Sequence, residues 1–113
     1  MKTEALIKMG LRAIIDSVAP PGRFAAVFED DGDTGYFYAL DRAKGETPII
    51  DAMHIYDANP DEPGDPVSLE IEWNENATTA TLLINGVSQA VYDFIAKKGT
   101  CRTGFPPGHA WLD

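Results

Sequence analysis

Residues 85–99 read NGVSQAVYDFIAKKG, from Asn85 to Gly99, and the structure assigned to them decides the fold. As a helix, the stretch is capped by Ser88, carries Lys97 and Lys98 in its last turn and stops at Gly99. As a strand, it places Ala90, Tyr92 and Phe94 on one face, and the chain becomes mainly β. The preceding residues weigh on the choice. TTATLLI (Thr78 to Ile84) has a strand pattern, and Asn85-Gly86 is the strongest two-residue hairpin signal because both residues accept positive φ. A tight hairpin needs a returning strand, so the turn chemistry favours strand for residues 88–98, with the helix as the alternative.

Working outward, VSLEIEWN (Val67 to Asn74) is the clearest segment. Val67, Leu69, Ile71 and Trp73 alternate with Ser68, Glu70, Glu72 and Asn74, which describes a half-buried antiparallel strand with one acidic face. FAAVFE (Phe24 to Glu29) and GYFYALD (Gly35 to Asp41) flank an acidic tip and read as a hairpin. IIDAMHIY (Ile49 to Tyr56) runs into DANPDEPGDP, whose three prolines exclude a helix or a central strand. The opening, Thr3 to Asp16, approaches helical spacing but is interrupted at Gly10, and a strand over Ala13 to Val18 is favoured, ending at Pro20-Pro21-Gly22. The tail CRTGFPPGHAWLD is too rich in Pro and Gly for regular structure, and Phe105 and Trp111 are expected to pack it back onto the sheet. The expected fold is one mainly β domain over residues 1–113, an antiparallel meander of about six or seven strands with room for one short helix.

Three sets of residues resemble a family of small bacterial domains of unknown function. They are FEDDGDTGYFYALD, DAMHIYD, and TLLINGVSQAVYDF with the following KKGTCRTGFP. The resemblance covers Phe24 to Pro107. It implies a β-rich domain, which supports the strand reading of Ser88 to Lys97, and it implies no catalytic residue.

Charge narrows the function. The net charge of −9 argues against nucleic acid and anionic membrane surfaces as partners. Between Lys44 and Lys97 there is no Lys or Arg and there are ten Asp or Glu. That is either solubility by self-repulsion or an acidic face that steers a basic partner. The single cysteine, Cys101, fits a reduced thiol in a cytoplasmic protein. The N-terminal residues do not read as a secretory signal, and no run approaches the length of a membrane span.

The stretch EDDGDTGY (Glu29 to Tyr36) holds four acids within five residues. Asp31-x-Asp33-x-Gly35 begins like a calcium loop, but Gly35 supplies no side chain at the fifth position and Arg42 stands where the distal Glu is needed. The stretch is a well-made turn with more acid than a turn requires. Cys101 and His109 lie eight residues apart, with no third group evident to orient a nucleophile. Glu70 and Glu72 fit a solvated strand face, about 7 Å apart. Two histidines and one cysteine are too few for a zinc centre, and no phosphate loop or dinucleotide fingerprint is present. No cofactor, metal or catalytic residue is assigned.

The leading expectation is a non-enzymatic acidic protein-binding module, such as a cytoplasmic immunity protein or inhibitor of a basic toxin or enzyme. Its contact residues are Glu29, Asp30, Asp31, Asp33, Tyr36 and Tyr38, with the acidic loop Asp57 to Asp65 as second choice. The rival is an enzyme or small-ligand binder built around His54, Asp51 and the tyrosines. A third reading is a structural or oligomeric subunit joined through a sheet edge; the oligomeric state is open.

Overall fold

Alternation of apolar and polar residues runs through nearly every segment, and each such segment forms a strand. The computed structural model describes residues 1–111. In chain order the strands are β1 (Lys2–Lys8), β2 (Ala13–Val18), β3 (Phe24–Asp30), β4 (Thr34–Asp41), β5 (Ile49–Asp57), β6 (Pro66–Trp73), β7 (Thr79–Ile84), β8 (Val87–Asp93) and β9 (Lys98–Cys101). A single 3₁₀ turn, Arg42–Lys44, follows β4; Asp41 starts it by accepting the Ala43 amide. The mainly β antiparallel reading holds. Among the described residues the strands number nine, in two sheets, where the sequence pointed to about six or seven in one meander. One sheet has the order β1-β6-β7-β8-β9 and the other β2-β3-β4-β5.

The deciding stretch is a strand followed by a second hairpin. Asn85 and Gly86 both take positive φ, 50° and 78°, and reverse β7 into β8. The Asn85 side chain also accepts the Ser68 amide at 2.9 Å, tying the turn to β6. The helix reading fails at Asp93. Its carboxylate accepts the Ile95 and Ala96 amides at 2.9 and 3.0 Å, bending the chain into β9. Asp93 therefore closes a turn in the middle of the apparent helix, and Lys98 begins a strand instead of ending a helix. The opening residues likewise form two strands, with Gly10 in the turn between them.

The two sheets pack face to face. Phe28, Phe37 and Met53 from the four-stranded sheet meet Leu69, Ile71, Leu82 and Cys101 from the five-stranded one, all fully buried. Aromatic stacking closes one end, where Phe94 packs on Phe24 and Trp73 at ring separations of 4.7 and 5.4 Å. Truncating Leu82 to Ala in such a core costs about 2–5 kcal/mol.

Both open edges of the sandwich are tied across. At one, the Ser17 hydroxyl accepts from Thr3 at 3.0 Å and from the Trp73 indole at 2.9 Å, linking β2 to β1 and β6. At the other, the tail straps β5 to β9. The His54 amide donates to the Phe105 carbonyl, the Thr103 hydroxyl to the His54 carbonyl, and the Cys101 amide to the His109 carbonyl, at 2.9, 2.7 and 2.9 Å. Trp111 is half-buried, with the Arg102 guanidinium 4.7 Å from its ring centre, while Phe105 reaches His54 yet stays 52% exposed. The tail's last two residues, Leu112 and Asp113, lie outside the described residues.

Candidate interaction surface

Period-2 alternation gives each sheet an inner and an outer face, and the two outer faces differ. On the five-stranded sheet, Lys2, Glu72, Thr81, Val91 and Thr100 follow one another across the strands, and Glu4, Glu70 and Leu83 form the next row. Lys2 pairs with Glu4 at 2.9 Å and reaches Glu70 at 3.7 Å. This face is mostly polar, although Leu6 of β1 stands on it 78% exposed; Glu72 is exposed, and the Glu70 side chain is 19% exposed beside Lys2.

The four-stranded sheet is different. Its register places Ile14, Glu29, Tyr36 and His54 in one row, then Asp16, Val27, Tyr38 and Ala52, then Val18, Ala25, Leu40 and Ile49. Ile14 is 67% exposed, Ile49 57% and Val18 40%. The Tyr36 and Tyr38 rings stack at 6.1 Å, and Tyr38 donates to Glu29 at 3.0 Å. Burial, and then that bond, push the Tyr38 phenol up to about 12, so it remains a donor at neutral pH. Two arginines border this face, Arg12 beside Ile14 and Arg42 beside Val18.

The expected contact residues divide accordingly. Glu29, Tyr36 and Tyr38 lie on this outer face. Asp31 and Asp33 are exposed at the adjoining tip. The Asp31 carboxylate accepts the Asp33 and Thr34 amides, both at 2.9 Å, and these bonds hold it below the usual carboxylate range.

Asp30 is the correction. It is 1% exposed and accepts from the Gly10 amide, the Gly32 amide and the Tyr56 hydroxyl at 2.9, 2.8 and 2.6 Å. Such a carboxylate ties three segments together and cannot meet a partner. The signal was present in FAAVFED: the alternation that sends Phe28 into the core sends Asp30 there too. Gly35 makes room for the arrangement, since a Cβ there would lie 2.7 Å from the Tyr56 ring.

The fold also joins two acidic stretches that are separate in sequence. The Ala58 amide donates to the Asp33 carbonyl at 2.8 Å, and the Gly64 amide to the Met9 carbonyl at 3.0 Å, laying the loop of residues 57–65 beside the tip. Asp31, Asp33, Asp57, Asp61, Glu62 and Asp65 are all exposed on this end of the molecule.

The rival site comes apart and is replaced by two others. Asp51 and His54 do not pair. The His54 Nε2 faces Asp57 Oδ1 at 2.9 Å, in a shallow depression of about 420 Å³ lined by Thr34, Tyr36, His54, Asp57, Thr103 and Phe105. Asp51 instead meets His109, 58 positions away, whose Nε2 lies 2.9 Å from both carboxylate oxygens. The other ring nitrogen, Nδ1, lies 2.8 Å from the Pro106 carbonyl. Both nitrogens face acceptors only, an arrangement that favours the doubly protonated ring. Burial opposes that charge, but the Asp51 bond and the Pro106 carbonyl hold the His109 pKa above its ordinary value. Cys101 is buried, its sulfur 3.5 Å from the Thr103 hydroxyl and the Phe105 carbonyl, and the His109 ring is engaged elsewhere. The Cys101–His109 pairing meets only through backbone.

A curated relative from Haemophilus influenzae, itself named an uncharacterized protein, is 44% identical over 84 residues, which is 74% of this chain and 52% of the relative. The chain thus spans about half the length of that relative. No solved structure matches this chain. Residues 7–113 match a family model described as an uncharacterized protein conserved in bacteria, DUF2251, and the chain belongs to that family.

Proposed function

We propose that the chain is a non-enzymatic protein-binding module that docks a basic protein against the outer face of its four-stranded sheet and the neighbouring acidic end. The observation that carries this is the composition of that face. Antiparallel sheets in water normally turn polar residues outward, as the five-stranded sheet does except at Leu6, Leu83 and Val91. Here the outward rows hold Ile14, Val18, Val27, Leu40 and Ile49 around two stacked tyrosines. Contiguous exposed apolar surface rimmed by charge marks an interaction site. The rim acids supply steering and specificity for a basic partner, and the apolar and tyrosine centre supplies affinity.

An inhibitor is the form this takes most economically. A compact acidic protein presents carboxylates where the phosphates of a nucleic-acid substrate would lie, and so occludes a basic active site. A cytoplasmic immunity protein that neutralises a basic toxin fits this description. No helix among the described residues is long and apolar enough to cross a membrane.

Tagged protein captured from its host at low and at high salt tests the proposal when run beside a Val27→Ser/Tyr38→Ser variant. The expected result is a stoichiometric basic protein, reduced at high salt and absent from the variant. Equal capture by the variant would remove the sheet face from the site. A second copy of the chain as the sole companion would favour an oligomeric subunit.

The His54–Asp57 pair at 2.9 Å beside Tyr36 favours a second reading, a small-ligand site or enzyme in that depression. Ligand screening that raised the melting temperature in wild type but not in His54→Ala would support it.

A further inference from the structure

We propose that the depression between Tyr36, His54, Asp57 and Phe105 receives an arginine side chain of the partner; this deepens the protein-binding reading and rests on it. Three aromatic rings meet there. Tyr36 and Phe105 stand at 77° and 89° to the His54 ring, with centroids 5.8 and 6.2 Å from it. Asp57 reaches the same space from the end of β5, its side chain 84% exposed and one oxygen held by His54. A carboxylate so placed keeps capacity for further donors.

No Lys or Arg lines the depression among the described residues, and the carboxylate's partner there is His54. The backbone of the exposed Asp33 is tied to the same end of β5, since its carbonyl accepts the amide of Ala58, the residue after Asp57. Rings with a carboxylate at their rim suit a flat, weakly hydrated cation. A guanidinium stacks on aromatic faces and donates to a carboxylate in a fork, whereas an ammonium is more strongly hydrated and lacks the plane.

The wall opposite Tyr36 is held in place. The Phe105 carbonyl accepts the His54 amide, and the Thr103 hydroxyl donates to the His54 carbonyl. These bonds fix the backbone around Phe105 against β5, although the ring itself is 52% exposed. Such an anchored, uncovered phenylalanine beside a carboxylate is a receptor for a group that brings both charge and a flat surface.

The test titrates the isotope-labelled chain with a blocked Gly-Arg-Gly peptide and, in parallel, with the citrulline peptide, which keeps the shape and loses the charge. Arginine is expected to give saturable shifts confined to residues 34–36, 54–57 and 103–105, and citrulline none. Asp57→Asn and Tyr36→Leu should each weaken arginine binding by about tenfold while the rest of the spectrum stays that of the folded protein. Absence of saturable shifts, equal binding of citrulline, or full affinity in Asp57→Asn would overturn the site. If arginine fails while the Val27→Ser/Tyr38→Ser variant still loses its partner, the protein-binding reading stands and only the arginine receptor falls.

Discussion

The outer face of the five-stranded sheet and that of the four-stranded sheet are built by the same alternation and differ in how much apolar surface they carry. One carries Lys2, Glu4, Glu70 and Glu72, with Thr81 and Thr100 further along and Leu6, Leu83 and Val91 as its apolar members. The other carries Ile14, Val27, Tyr38, Leu40 and Ile49. Both inner faces serve one core, so packing does not explain the difference. On the proposed reading a partner covers that surface, and the acidic end beside it fits a basic one.

The sharpest way to break this contrast is to change each face in turn. Val27→Ser with Tyr38→Ser should weaken the partner complex by about a hundredfold, the scale of losing central hot-spot contacts. Thr81→Ala with Val91→Ser on the other sheet should leave affinity within about twofold. Titration calorimetry with the purified partner reads both. Similar losses from the two variants would erase the distinction.

The acidic tip offers a second contrast, between one carboxylate that builds the fold and others that face solvent. Asp30→Ala strands the Tyr56 hydroxyl and two backbone amides, and should cost about 3 kcal/mol by denaturant unfolding. Asp33→Lys should leave stability within about 0.5 kcal/mol, as expected for an exposed site. Its effect belongs to association: about a fivefold weaker complex with a shallower salt dependence. If Asp30→Ala were harmless, the anchoring role assigned to Asp30 would be wrong.

The smallest effect concerns the strap that carries Phe105. His109 gains a proton partner in Asp51 on folding, so its folded pKa lies above its unfolded one. The stabilisation is therefore complete below the ordinary histidine value of about 6.5 and is lost as pH rises through the raised folded value. The nearby Tyr92 phenol is pushed up by burial and by Asp51, and stays neutral through that range. Protection of the His54 and Cys101 amides, which donate to tail carbonyls, should fall as pH rises, after correction for intrinsic exchange. In Asp51→Asn the dependence should flatten. Protection that rose with pH would contradict the imidazolium assignment.

Much of the fold was legible in local pattern. The VSLEIEWN alternation and the Asn85-Gly86 turn locate β6, β7 and the start of β8, and the break at Pro20-Pro21 bounds β2. Three features were not legible. The division into two sheets depends on β1 pairing with β6 and on the tail crossing from β9 to β5, which are contacts far apart in sequence. The character of the outer sheet face was hidden for the same reason. Ile14, Val27, Leu40 and Ile49 each look like core residues until register sets them side by side. The union of residues 31–33 with residues 57–65 is also tertiary, made by the Ala58 amide.

The most direct test places a photoreactive phenylalanine analogue at Tyr38 or at Val91, on the two opposed faces, and irradiates the protein in its native host. A basic protein cross-linked from position 38 and not from position 91 is the predicted result. Cross-links of equal strength from both positions, or from position 91 alone, would contradict the claim that the outer face of the four-stranded sheet is the contact surface.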